Sequence, residues 1–204
     1  MFALVDKSDN SITRMLNGNK GITIGDNQYP RAIFTLWTEA ERNAINIYTV
    51  TIDNSKKKDE RWYINTNITY SFDGTNATGS YGDATAKAHA DTLFSAQDET
   101  DGLGTEGDVK TRGLKYNLIQ TLKQQVAGEL SKTDWYITRN TEKSTAIPSA
   151  ISTHRDAVRT KQAEMETAIT NASNTPALET LYTYTEQEDG SVTRPLGELP
   201  TLES

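Results

Sequence analysis

His89 and His154 are the only imidazoles in the 204-residue chain. Neither belongs to a His-x-x-x-His or Glu-x-x-His pattern, the spacings that bring two ligands to one metal on a helix face. There is no cysteine, which removes thiolate ligands, thiol nucleophiles and disulfide staples together. Gly102-Leu-Gly104-Thr-Glu-Gly107 has the glycine spacing of a dinucleotide loop, but it follows an acidic run where such a loop follows a strand. The same stretch, Gln97 to Asp108, is rich in carboxylates. It lacks the Asp-x-Asp-x-Asp-Gly order closing on glutamate that a calcium loop uses. Glu164 and Glu166 are neighbours on a predicted helix surface and read as solvated. No phosphate-cradling loop and no Gly-x-Ser-x-Gly elbow is present. We therefore assign no catalytic residue, no metal ligand and no cofactor, and expect no enzyme. The residues that remain are suited to contact. Trp135 and Tyr136 are adjacent aromatics at a predicted helix end, where such side chains bury much area at low entropic cost. They either plug a helical hairpin or meet a partner. Together with Arg155 and Arg159 they form the candidate partner-binding set.

Composition limits the remaining choices. Hydrophobic residues make up 35% of the chain and charged residues 24%. Three tryptophans, nine tyrosines and four phenylalanines argue against wholesale disorder. The net charge of −7 disfavours nucleic acid as a partner, because phosphate contacts need a basic surface. No apolar run approaches the length of a membrane span, and Met1-Phe-Ala-Leu-Val5 is too short for a signal peptide.

The elements that must position these residues follow from patterning. Met1 to Met15 predicts a hairpin turning at Asp6–Asn10, and Gly21–Gly25 a short strand. Thr38-Glu-Ala-Glu41 is a capping box opening a short helix that feeds an extended run, Ile45 to Val50. Lys56–Arg61 reads as a solvated turn. Trp62, Ile64, Thr66, Ile68, Tyr70 and Phe72 alternate onto one strand face. Asp73-Gly74 predicts a tight turn and residues 76–81 a returning strand. Alanines at 84, 86, 88 and 90 suggest a helix over 83–96. Leu114, Leu118, Ile119, Leu122, Val126 and Leu130 mark one face of a helix over 109–130. That helix ends at Ser131–Thr133. Pro148-Ser149 restarts a helix to about Asn171, with Ile151, Val158, Met165 and Ala172 seven apart. Thr175 caps a last short helix with Pro176 at its first position. The expected fold is α+β: a β-rich N-terminal module of hairpins over 1–96, an acidic glycine-rich linker over 97–108, an antiparallel helical hairpin over 109–184 and an extended tail over 185–204. Within the tail, Arg194-Pro-Leu-Gly-Glu-Leu-Pro200 reads as a loose end or a docking peptide.

One segment carries a resemblance. Gly128-Glu-Leu-Ser-Lys-Thr133-Asp134-Trp135-Tyr136 stops a helix. A polar stretch then leads to Ala146-Ile-Pro148, and a second helix opens around His154-Arg155. This order resembles the C-terminal segment of bacteriophage tail-fibre assembly chaperones and related tail proteins. Trp37, Glu39–Arg42 and Ile47-Tyr48-Thr-Val50 are similar to an N-terminal module of phage tail-fibre-associated proteins. The chain departs from the family pattern in having His154-Arg155 where an aromatic-arginine pair is usual, and in lacking a downstream tryptophan. The resemblance implies that the Thr-Asp-Trp turn packs the helical hairpin. It also implies a partner, a phage tail fibre or baseplate protein, met as a virion subunit or assembly factor in the tail or the host cytoplasm. A homo-oligomer or hetero-complex is expected, with neither nucleic acid nor membrane as partner. The alternative is a carbohydrate-binding or glycan-processing phage protein.

Overall fold

Phe2–Asp6 (β1) and Ser11–Leu16 (β2) form the predicted opening hairpin. Its alternation runs both ways: Ala3 and Val5 point into one apolar cluster, Phe2 and Leu4 into another. A bulge opposite Leu4/Val5 shifts the register of β2. An extra residue reverses side-chain parity, which is how Ile12 and Met15 come to pack against the same cluster. Next come the short hairpin Ile22–Ile24 (β3) with Asn27–Tyr29 (β4) and a single helical turn at Ile33–Leu36 (α1). Glu39–Ala44 (α2) follows, with both halves of the Thr38/Glu41 capping box formed. Ile47–Asp53 (β5) then enters the sheet beside β1.

The structure is a computed structural model describing residues 1–202. It is mixed α+β, strand-rich at the N-terminal end and helical at the C-terminal end. The chain divides into two units, the first Met1–Thr85 and the second from Ala86 onward. Each is described by itself.

In the first unit, Tyr63–Ile64 (β6) precedes the hairpin Thr69–Phe72 (β7) and Ala77–Ser80 (β8). The main sheet has the order β2-β1-β5-β8-β7. All its neighbours are antiparallel except β5 and β8, which run parallel. Ala3, Val5, Tyr48, Val50, Phe72 and Ala77 are buried on one side, and Ile22, Ile33, Phe34 and Ile47 on the other. The continuous strand expected from Trp62 to Phe72 is not formed. Trp62 and Phe72 are buried, but Ile64 is 59% exposed. The reason is local. The Asn65 side chain bonds the Lys58 backbone at both N–H and carbonyl, and Thr66 Oγ1 accepts from Gly82 N at 2.7 Å. Such bonds compete with a strand ladder. Asp73-Gly74 does turn the chain, within a four-residue loop. Asp73 Oδ1 accepts the Thr75 and Asn76 amides at 2.8 and 2.7 Å.

The alanine-rich run expected to be helical is extended. Thr85–Ala86 (β9) and Thr92–Leu93 (β10) are its strands. Its backbone is taken up by Leu114–Ser131 (α4), whose N-cap is Gly113 and has no side chain to offer. The first amides of a helix lack intrahelical partners. Leu114 N and Lys115 N donate instead to the carbonyls of Ala88 and His89, each at 3.0 Å, and Gly113 N donates to Asp91 Oδ1 at 2.8 Å. A Cβ on Gly113 would stand 2.3 Å from the Ala90 carbonyl, so only glycine permits this approach.

The 97–108 stretch, expected as a linker, is folded inside the second unit. Ala96–Thr100 (α3) is capped by a Ser95/Asp98 capping box. The remainder returns to Val109–Thr111 (β11), which pairs with β10. Beyond α4 lie Asp134–Lys143 (α5), Ser149–Asn171 (α6) and Thr175–Tyr182 (α7). The N-cap of α7 is Asn174, not Thr175: Asn174 Oδ1 accepts from Ala177 N, while Thr175 Oγ1 donates to Lys87 O at 2.6 Å. Helices α4 and α6 are antiparallel, as their ends show. Lys115 Nζ reaches Thr170 O at 2.7 Å, and Arg155 reaches Leu130 O at 2.8 Å. Leu118, Leu122 and Val126 are buried on α4, and Ile151, Val158 and Met165 on α6, with Ala172 just past it.

The tail is also folded as far as it is described. Thr185–Glu186 (β12) pairs with Val192–Thr193 (β13), Leu196 is buried, and its amide donates to Leu181 O at 3.0 Å. The peptide read as a docking candidate is thus bound by its own unit. Residues 203 and 204 of the expected tail lie outside the described residues. No helix among the described residues is long and apolar enough to cross a membrane.

Candidate partner-binding site

The site is built where α4 stops. Thr133, between the Lys132 cap of α4 and the start of α5, has a backbone near φ −118°, ψ 4° and is almost wholly buried. Its hydroxyl donates to Leu130 O at 3.0 Å, satisfying one of the terminal carbonyls of α4. The same hydroxyl accepts from Arg155 Nη1 at 2.7 Å. That guanidinium nitrogen also meets Leu130 O and Asp134 Oδ1, each at 2.8 Å. Asp134 opens α5, where a carboxylate complements the positive end of the helix dipole. Arg155 therefore ties the start of α6 to the turn between α4 and α5.

Arg155, expected at a partner contact, is buried and engaged inside its own unit. Arg159, one turn further along α6, is half exposed and pairs only loosely with Asp156 at 3.3 Å. His154 is buried beside Arg155, with Nε2 3.3 Å from Glu129 Oε1. Glu129 is held below the usual glutamate range chiefly by its hydrogen bond from Lys132, with His154 adding to the effect.

Helix α5 differs from its neighbours. None of its ten residues is buried. Trp135 is 51% exposed and packs against Tyr136, ring centroids 3.8 Å apart with the planes tilted by 34°. The Arg139 guanidinium lies 4.7 Å from the Trp135 ring and 5.4 Å from the Tyr136 ring. Of the two roles open to the aromatic pair, the plug does not fit Trp135, since a plug is covered. Arg139 was not anticipated. Its signal was present as the Trp135-x-x-x-Arg139 spacing, which sets the two side chains on one helix face. At the other end Ser144 closes the helix in the left-handed region at φ 52°, and Asn140 Nδ2 donates to Thr145 O at 2.8 Å.

Comparison with known proteins identifies no relative. No protein-family model, curated protein or solved structure matches the chain. Among the described residues no group of three or more metal-ligating side chains converges. What this arrangement offers is an amphipathic aromatic-cation face on a short helix, with Arg155 fixing the direction in which the helix leaves the core.

Proposed function

We propose that the chain is a non-enzymatic bacteriophage tail-associated protein that binds a tail fibre or baseplate component through α5. The observation carrying the contact is a ten-residue helix with no buried residue that still presents a packed Trp-Tyr-Arg cluster. A helix this short is marginal in water without tertiary packing. Its exposed Trp135 and partly buried Arg139 are of the residue types that anchor interfaces. A partner laid over Trp135, Tyr136 and Arg139 supplies the missing packing, and a specific interface of about 1,200–2,000 Å² extends beyond them. The assignment to a phage tail rests on the resemblance of the Thr133-Asp134-Trp135 segment. It is supported by the buried Arg155 that holds this turn against α6. On this reading the protein works in the virion tail or in the host cytoplasm during assembly.

The test is co-expression with candidate fibre and baseplate proteins, followed by size-exclusion chromatography with light scattering. Stable co-elution that a Trp135→Ala, Arg139→Ala variant loses is expected. A protein that stays monomeric, captures no tail component and turns over a glycan ends this reading in favour of the carbohydrate alternative.

A further inference from the structure

The first unit carries a cavity that the proposed contact does not use. It lies between the end of β2, the turn at residues 17–20 and the start of β3, is open to solvent on one side and holds about 610 Å³. Small-molecule sites are of this size. Leu16, Ile22 and Phe34 contribute apolar wall, and Arg14 and Lys20 contribute cations. No carboxylate lines it. Among the described residues neither Arg14 nor Lys20 forms an ion pair. Arg14 spends one amino group on a long contact to Thr23 O at 3.5 Å. In a chain of net charge −7, two unpaired cations on a carboxylate-free cavity run against the overall field.

The wall is also preformed. Gly18 holds φ +70°, and a Cβ there would stand 3.1 Å from the Phe2 ring and 3.2 Å from Phe34 Cβ. Glycine takes this conformation without strain and brings no Cβ against the two phenylalanines, so the turn carrying Lys20 is seated directly on the aromatic floor. Phe34 is in turn fixed by Phe2, ring centroids 5.0 Å apart.

We propose that this cavity binds a small organic anion, its charged group between Arg14 and Lys20 and an apolar body against Leu16, Ile22 and Phe34. An arginine fork matches the paired oxygens of a carboxylate or a phosphate ester, and the apolar wall selects against a bare inorganic ion. The proposal is independent of any tail partner.

The test uses the full chain and heteronuclear NMR with four probes: 4-phenylbutyrate, its neutral amide, phenyl phosphate and inorganic phosphate. The organic anions are expected to shift the amides of residues 14–23 and to bind at least about tenfold more tightly than the amide or inorganic phosphate. The Arg14→Gln, Lys20→Gln double variant is expected to lose at least about tenfold in affinity. Both side chains are exposed, so amide shifts outside 14–23 report that the fold survives. Independently of any variant, affinity of the unmodified protein for the anions should fall as salt rises. The proposal is overturned if no probe shifts residues 14–23 at about 10 mM. Equal binding of the amide, equal binding of inorganic phosphate, or an affinity indifferent to salt also overturns it.

Discussion

Replacing Arg155 with methionine removes the tie between α6 and the α4–α5 turn while keeping most of the side-chain volume. The expected loss follows from the three acceptors at Arg155 Nη1. A hydrogen bond to a charged group contributes about 1.5–3 kcal/mol, and the Thr133 hydroxyl is the acceptor best shielded from water. The Asp134 carboxylate is 60% exposed, so its share is discounted to about 0–1 kcal/mol. Leu130 O keeps its bond from Thr133 Oγ1, so no acceptor is orphaned there. Against this, the buried Arg155 Nε has no partner, and the variant is relieved of desolvating it. The balance is a destabilisation of about 1–3 kcal/mol. Urea denaturation followed by circular dichroism at 222 nm reads it, because the long helices α4 and α6 dominate that signal. Arg159→Met, exposed on the same helix, serves as the control and should cost about 0–1 kcal/mol. A double-mutant cycle with Thr133→Val should give a coupling of about 0.5–3 kcal/mol. If Arg155→Met and Arg159→Met cost the same, or the coupling is nil, the guanidinium does not hold this turn and its burial is incidental.

Further outcomes are expected. Leu122→Ala, at a site 2% exposed between the long helices, should cost about 2–5 kcal/mol; a loss near zero in the same denaturation experiment would contradict the α4–α6 seam. Trp135→Ala should change stability by no more than about 0.5 kcal/mol yet abolish capture of a tail partner, and a large loss of stability instead would make the tryptophan a packing residue. Gly113→Ala should lower the thermal midpoint, since the new methyl collides with the Ala90 backbone; an unchanged midpoint would show that the 88–91 segment does not lie against α4. The Asp98 carboxyl is pulled down to about 2, first by its hydrogen bond from Lys110 and then by Ser95. A lowered folded value means that its contribution is complete above the ordinary aspartate range and is lost as pH falls through about 2. Carbon-detected NMR titration should find that midpoint, and Lys110→Met should raise it; a normal midpoint in the unmodified protein would refute the α3–β11 contact.

What could be read ahead of the structure depended on how far apart the interacting residues lie. The Thr38/Glu41 box formed because both partners sit within one helical turn. Ile151, Val158, Met165 and Ala172 are buried at their sevenfold spacing because that stripe had one surface to meet. The 83–96 run was misread because alanine favours helices but buries little, so distant groups decide its conformation. Here the unsatisfied amides of α4 outweighed helix propensity, and the only local hint was that the alanines recur every second residue. The Trp62–Phe72 alternation failed for the opposite reason: Asn65 found the Lys58 backbone nearby. At the candidate site, residue type picked out Trp135 and Tyr136, and the resemblance picked out the segment holding Arg155 and Arg159. Which of them is buried depends on where α6 returns past Thr133, a contact between residues more than twenty positions apart.

The parallel pairing of β5 and β8 has a consequence for how the first unit is made. As the chain leaves the ribosome, β1, β2 and β5 emerge early and can assemble as soon as residue 53 is free. One edge of β5 then waits without a ladder partner, because the strand that covers it does not arrive until residues 77–80. Nor can β8 reach it by folding straight back: a parallel neighbour needs the chain to cross over first, here through residues 54–76, which include β7, the hairpin partner of β8. Until then the open β5 edge can recruit a strand from another nascent chain.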